Sequence, residues 1–308
     1  MIVIDGNAVG YAAQHSTKLT VGDQEVQAIY QFLRTLKVIK ARFGGKIVVL
    51  WDGKAQFRYD RYSEYKGKRN ADDAQKAARE SWQSQKPMLQ NMLSSINVWQ
   101  FFHSDFEADD LAGYLTRKVE SPIQLITGDE DWIQLVNDNV SWHDIRSNVQ
   151  KDCVASKLQE VTGFKTTTQF LYAKALQGDT SDNIKGVGGL GEKAGKAIFT
   201  QFKSLQELFD EHADTEDGFE KDHLIDELRR FRKKLNDFCT PEGKKLLARN
   251  LYLMDLKSGR WDQSIREGIE VTRPSLDMAR FESQCRDLNF LSIANMIPDW
   301  RIFEKEVA

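Results

Sequence analysis

Two short acidic blocks, Glu107-Ala108-Asp109-Asp110 and Gly128-Asp129-Glu130-Asp131, carry residue types that can do chemistry. Two apolar runs elsewhere also end in an acid, Ile2 to Asp5 and Ile47 to Asp52, and a third, Pro122 to Thr127, leads into the second block. Like charges about 4 Å apart repel by about 4 kcal/mol at an effective dielectric of about 20. Gathered carboxylates therefore need a cation or a proton. Oxygen donors with few His or Cys nearby suit Mg²⁺ or Mn²⁺ rather than zinc. Two such ions about 4 Å apart serve phosphodiester cleavage, one activating water and both stabilising the displacement. Any one of these Asp residues also fits a plain helix cap or turn. Three predicted strands that each deliver an acid at the same end point to a site.

Those acids need rigid supports. In open α/β sheets, ligands bind at the carboxyl edge of the strands. Strands are predicted over Ile2 to Asp5, Ile47 to Asp52, Val98 to Phe102, Ile123 to Ile126 and Val140 to His143, with Gly6-Asn7 as a turn. Ile29, Phe32, Leu33 and Leu36 recur at helical spacing within Val26 to Phe43. Ala108, Leu111, Ala112 and Leu115 do so within Glu107 to Val119, where Glu107 and Asp110 can share a face. Strands alternating with helices predict an α/β fold, a mostly parallel central sheet flanked by helices. Residues 70–97 read as one or two helices interrupted near Pro87, either a lid or arch beside the acids or a surface insertion.

Basic and aromatic residues interleave from Phe57 to Arg69, including Arg58, Tyr65, Lys66, Lys68 and Arg69. That composition suits phosphate contacts and base stacking, or a solvated loop with aromatic anchors. Further on, Asp179 and Asp182 precede a glycine-rich turn containing Gly186, Gly188 and Gly191, which runs into a helix bearing Lys193 and Lys196. Glycines let backbone approach a phosphate, and a helix N-terminus attracts anions. The loop lacks Walker spacing and does not follow a strand as a dinucleotide fingerprint should. The basic run from Arg229 to Lys234 reads as a solvated helix face, and Thr240-Pro241 as a helix start.

The chain has 308 residues, 41% of them hydrophobic, enough for one large domain or two. Cys153, Cys239 and Cys285 show no metal or disulfide spacing, so a reducing compartment is expected. No apolar run approaches membrane-span length, and Met1 leads straight into a strand, so no signal peptide is expected. The net charge of −3 is unusual for a nucleic-acid binder, but setting aside nine candidate acids, each worth −1, turns it into +6. A basic surface around an acidic pit would guide a polyanion.

Taken in order, several pieces resemble the 5′-nuclease (flap endonuclease) superfamily over roughly residues 1–255: the Asp5 strand end; Asp52-Gly-Lys followed by Phe57-Arg58; Tyr65-Lys66-Gly-Lys-Arg69; Glu107-Ala-Asp-Asp110; Thr127-Gly-Asp-Glu-Asp131; and Gly178-Asp-Thr-Ser-Asp-Asn-Ile184 running into Gly186 to Lys196. The likeness is to free-standing phage and bacterial enzymes and to the 5′-nuclease domain of bacterial DNA polymerase I. It implies a PIN-like fold with a nuclease core over 1–170, a helical arch over about 66–105, a helix–three-turn–helix DNA-binding region over 171–255, and a C-terminal segment, 256–308, packing back on the core. It implies that the nine acids hold two or more Mg²⁺ ions, with Mn²⁺ able to substitute. Asp5, Asp52, Glu107, Asp109 and Asp110 resemble the first-site group, and Asp129, Asp131, Asp179 and Asp182 the second. Lys66 and Arg69 would steady the scissile phosphate and Tyr65 would stack on the terminal base. Arg58, Lys68, Gly186, Gly188, Gly191, Lys193 and Lys196 would lie against DNA, with K⁺ on the carbonyls of the glycine turn.

The implied activity is a 5′→3′ exonuclease and structure-selective flap endonuclease that removes RNA primers or flaps during replication. Its expected partner is DNA with a 5′ flap, nick or free 5′ end, or an RNA–DNA hybrid. A monomer in the cytoplasm (the host's, if viral) is expected, with no membrane association and no attached polymerase. Three departures bear on DNA grip rather than on the acids: Trp51 where Phe is usual, Gly188 where Pro or a larger residue is common, and Ala194-Gly195 in place of Thr-Ala. Two other readings stand beside this one: a structure-specific DNA-binding protein with a silent site, and a related metal-dependent ribonuclease without the arch.

Overall fold

The computed structural model describes residues 1–67, 72–146 and 151–304. The chain divides into two compact units, one of residues 1–55, 70–152 and 258–308, the other of 56–69 and 153–257. The segment that begins at Gln56 and residues 153–257 thus form the mostly helical unit.

In the first unit the strands are β1 (Ile2–Asp5), β2 (Ile47–Trp51), β3 (Val98–Phe102), β4 (Ile123–Ile126), β5 (Val140–Asp144), β6 (Lys151–Cys153) and β7 (Glu270–Thr272), in the spatial order β7-β3-β2-β1-β4-β5-β6. The pairs β1–β2, β2–β3, β1–β4 and β4–β5 are parallel, and β7 runs antiparallel to β3. Every residue of β1 and β2 is buried, which is why they read as unbroken apolar runs rather than alternating ones. The chain builds outward from β1 to β2 and β3, then crosses back to β4 on the other side. The carboxyl ends of β1 and β4 therefore flank a topological switch point.

The helices α1 (Gly6–Gln14), α2 (Gln27–Phe43), α3 (Asp73–Ser94) and α4 (Ala108–Lys118) belong to this unit. The turn expected at Gly6-Asn7 is instead the start of α1. Asp5 is itself the N-cap, its carboxylate accepting the Ala8 N–H, so the strand passes directly into the helix. The N-terminus of α2 has no side-chain cap of its own. Buried Gln85 of α3 supplies one, accepting the Ala28 N–H at 2.9 Å.

Helix α3 runs unbroken through Pro87. The hydrogen bond that proline forfeits would have ended on the carbonyl of exposed Gln83, which water can satisfy. Residues 72–80 of this segment are mostly exposed, whereas Trp82, Leu89, Met92 and Leu93 join the main core with Phe32, Ile4 and Trp51. Each such side chain contributes about 1.5–3 kcal/mol. Of the range expected as an arch, then, the later part is fixed: α3 from Trp82 is core, and Val98–Phe102 is a strand of the sheet. Phe281, Phe290, Trp300 and Phe303 from the C-terminal segment enter the same core cluster.

The second unit contains α5 (Thr167–Gln177), α6 (Glu192–Gln201), α7 (Leu205–Ala213), α8 (Arg232–Cys239) and α9 (Pro241–Met254), the last capped by Thr240 with Pro241 in its first turn. Helix α5 packs on α6 and α9. Gly195 is where α5 and α6 come close: a Cβ there would lie 3.0 Å from the Ala173 Cβ. Between α5 and α6 stands a small hairpin, Gly178–Asp179 paired with Ile184–Lys185.

Candidate active site

The end of β1 sets the site. Asp5 is 6% exposed, and its second carboxylate oxygen accepts from the Thr127 hydroxyl at 3.1 Å. The same hydroxyl oxygen accepts the Asp129 N–H at 3.0 Å. Thr127, itself buried, thus ties the end of β1 to the loop leaving β4. Asp52 follows β2 and accepts the Ala108 N–H at 2.8 Å, fastening the first turn of α4 to the end of β2. A side chain at Gly53 would collide with the His103 carbonyl, so only glycine lets the β2 exit zip to the β3 exit, through Gly53 N–H to Phe106 O at 2.9 Å and Lys54 N–H to Ser104 O at 2.7 Å.

Helix α4 brings the remaining acids of the first block. Glu107 is the N-cap, and Asp110 accepts the Glu107 N–H at 3.0 Å, a capping box that orients both buried carboxylates. Asp109 accepts from the Trp132 indole at 2.7 Å. Asp129 accepts the Asp131 N–H at 2.8 Å, and its backbone carbonyl receives the Trp142 indole at 2.9 Å. Seven of the nine predicted acids therefore lie at the carboxyl ends of β1, β2 and β4 or on the first turn of α4.

Electrostatics show how crowded they are. Burial, then the charge of Asp52, pushes the Asp5 carboxyl up to about 7. Burial also drives Asp109 well above the carboxylate range, reinforced by the charges of Asp129, Glu107, Asp5 and Asp52. A set of hard oxygen donors whose charges act on one another fits a divalent cation, whose positive charge would offset that repulsion. Among the described residues, no three His, Cys, Asp or Glu side chains are drawn round one point as ligands. The carboxylates turn instead to backbone, hydroxyl and indole donors, so gripping an ion requires rotating them about fixed backbone positions.

Asp179 and Asp182 belong to the hairpin turn of the second unit. Asp179 accepts the Ser181 N–H and hydroxyl, both at 2.7 Å. Asp182 accepts the Tyr65 hydroxyl at 2.9 Å, its carbonyl accepts the Lys66 N–H at 2.8 Å, and the Lys66 ammonium stands 3.9 Å from its carboxylate. Lys66 adopts φ +55°, the left-handed region that strains a residue with a Cβ. Buried Asn250 holds the hairpin from α9, donating to Ala175 O at 2.7 Å and Lys185 O at 3.0 Å.

Two residues expected against DNA are buried. Tyr65, expected to stack on a base, is 2% exposed and packs edge-on against Tyr59. Arg58 is 3% exposed and donates to Leu253 O at 2.9 Å. Lys68 and Arg69 lie outside the described residues. Gly186 is required by fold, since a side chain there would strike the Gln177 carbonyl, and Gly188 adopts φ +56°, which excludes the proline common at that place. Gly191 caps α6 and Lys193 is exposed on its first turn, while Lys196 pairs with Glu192 at 2.6 Å. Trp51 is accommodated in the core with its indole donating to Gln100 at 3.0 Å.

Thr127, Trp132 and Lys86 went unassigned in the sequence. Thr127 had a signal, the strand-end Thr-Gly-Asp, whereas nothing in the sequence singled out Trp132. Lys86, on α3, lies 4.9 Å over the Trp51 ring and close enough to Asp52 for that charge to oppose the lowering of its pKa by burial.

Two family models match consecutive stretches: the 5'-3' exonuclease N-terminal resolvase-like domain over residues 1–163, and the 5'-3' exonuclease C-terminal SAM fold over 165–239. DNA polymerase I of Lactococcus lactis subsp. cremoris is 29% identical over 240 residues, covering 73% of this chain and 27% of that protein. The thermostable DNA polymerase I of Thermus filiformis is 30% identical over 215 residues, covering 68% and 24%. The chain thus spans about a quarter of the length of these relatives. Among solved structures, the T5 D15 protein co-crystallised with metal ions shares the fold at TM-score 0.69 and 23% identity, covering 95% of this chain and 98% of that one. The catalytic core of Rad2 in complex with DNA substrate aligns at TM-score 0.62 and 15% identity, covering 97% and 92%. With the N-terminal model alone matching more than half of its length, and its acids arrayed on a resolvase-like sheet, this chain belongs to the 5'-3' exonuclease family.

Proposed function

We propose that the protein is a divalent-cation-dependent 5′-nuclease that hydrolyses phosphodiesters at 5′ ends and 5′ flaps of DNA, including primer-derived RNA paired to DNA. The observation that carries this reading is the set of carboxylates that β1, β2, β4 and α4 deliver to the switch point, where burial and one another's charges raise the Asp5 and Asp109 carboxyls. When bound, Mg²⁺ or Mn²⁺ supplies a Lewis acid that activates water and offsets charge on the phosphate. Asp5, Asp52, Glu107, Asp109, Asp110, Asp129 and Asp131 are the ligands proposed in the first unit, some of them through water. Thr127 and the α4 capping box orient them.

In the second unit, Asp179 and Asp182 remain proposed ligands, and Lys66 a contact to the phosphate. Tyr65 becomes a positioning residue for Asp182. The Gly186–Gly191 turn, the open N-terminus of α6 and Lys193 are proposed to meet duplex phosphates, with K⁺ on the turn carbonyls. A 5′-flap duplex labelled at the flap tip tests this. Cleavage near the junction in Mg²⁺ that stops in EDTA supports it. Tight binding with no product in Mg²⁺ or Mn²⁺ would make the protein a silent-site binder.

A further inference from the structure

Away from the acids, the first unit carries a cavity of about 520 Å³ between α2 and the C-terminal segment, lined by Tyr30, Arg34, Val38, Ala41, Ile293 and Trp300 among others. Its floor is apolar and its rim cationic. Arg34 stands 5.7 Å over the Tyr30 ring, and Lys37, also lining it, 5.8 Å over the Trp300 ring. The rings hold both cations in place, so little side-chain entropy is lost when an anion meets them. Val38, in the wall, is 62% exposed, an apolar side chain left open to solvent beside Arg34.

Lys37 is already paired with the Asp299 carboxylate at 3.1 Å, beside Trp300, which is 2% exposed and forms part of the cavity wall. Arg34, by contrast, is exposed and no carboxylate of the described residues pairs with it, next to the open wall of Val38 and Ala41.

We propose that this cavity docks a short acidic peptide segment of another protein, with a carboxylate on Arg34 and the neighbouring aromatic or large aliphatic side chain seated against Val38, Ala41 and Ile293. Charge complementarity selects the peptide over a neutral apolar one, and the apolar wall selects it over a polyanion. None of these residues belongs to the proposed nuclease machinery, so docking and cleavage are separable.

Fluorescence anisotropy of a labelled peptide of Asp, Leu and Phe, titrated with the full chain, tests the proposal. Two control peptides replace its acids by Ser or its apolar residues by Ser. The expected result is saturable binding at a Kd on the order of 10–100 μM, weakened at least ~10-fold by Arg34→Glu and by Val38→Asp, with flap cleavage unchanged in both variants. Equal binding of the acid-free control, or full binding by Arg34→Glu, would overturn it. So would self-association of the protein that Val38→Asp abolishes, because the face would then belong to a second copy of this chain.

Discussion

Asp5→Asn separates what the site costs the fold from what it gives the chemistry. The substitution keeps the shape of the side chain and an oxygen to cap Ala8, the bond that starts α1. It removes a buried charge. Asp5 is pushed to about 7 in the folded protein from 3.8, so the metal-free folded state holds a proton that the unfolded chain has released. The unfolded state therefore binds fewer protons between those limits, and stability falls as pH rises through them, levelling off above about 7. At about 1.4 kcal/mol for each pH unit between the two values, the loss by pH 8 is about 4 kcal/mol, on the order of 10 °C in Tm. The amide of the variant has no such proton to lose. In EDTA at pH 8 the variant should unfold at a higher temperature than the wild type, with the gap closing toward pH 4. In Mg²⁺ the order should narrow or reverse, because a cation bound only to the folded wild type restores what ionisation removed. Cleavage should fall by orders of magnitude. Thermal unfolding across pH, with and without Mg²⁺, reads all of this. A variant less stable than wild type at pH 8 in EDTA, or a wild type whose stability does not decline from pH 4 to 7, would show that Asp5 is not held protonated by its surroundings.

Other substitutions probe single contacts. Thr127→Val strands the Asp129 N–H and removes a donor from Asp5; we expect a loss of about 1–3 kcal/mol in denaturant unfolding and Mn²⁺ binding weaker by about 10-fold in calorimetry. Tyr65→Phe keeps the ring and deletes the bond to Asp182. Turnover should drop with DNA affinity unchanged, whereas an unaltered rate would return the ring to a stacking role. Arg58→Met should cost about 1–3 kcal/mol by orphaning the Leu253 carbonyl. It should leave the salt dependence of DNA binding as it was, and a slope smaller by about one would instead mark a phosphate contact.

The strands were legible in the sequence because both faces of β1 and β2 are covered, so their runs are apolar without interruption. Asp5 and Asp52 were legible because each stands at the end of such a run. Helix α1 was not, since Asp5 ends a strand and caps a helix at once, leaving no turn to mark the boundary. Basic and aromatic residues from Phe57 onward looked like a nucleic-acid surface by composition. Composition does not record which way a side chain points, and Arg58 and Tyr65 point into the second unit's interior. The dual use of Thr127 was hidden for a similar reason: its two bonds join residues that only the parallel pairing of β1 with β4 brings together.

If the switch-point carboxylates bind the cation that cleavage needs, metal uptake and cutting must rise together. Mn²⁺ titration followed by electron paramagnetic resonance, on wild type and on a variant carrying Asp52→Asn with Asp109→Asn, reads this when flap cleavage is assayed in the same samples. Wild type should take up Mn²⁺ in step with the onset of cleavage, while the variant stays folded, binds at least ~10-fold more weakly and does not cut. Equal Mn²⁺ uptake by both proteins, or cleavage by the variant, would place the cation that matters somewhere other than on these acids.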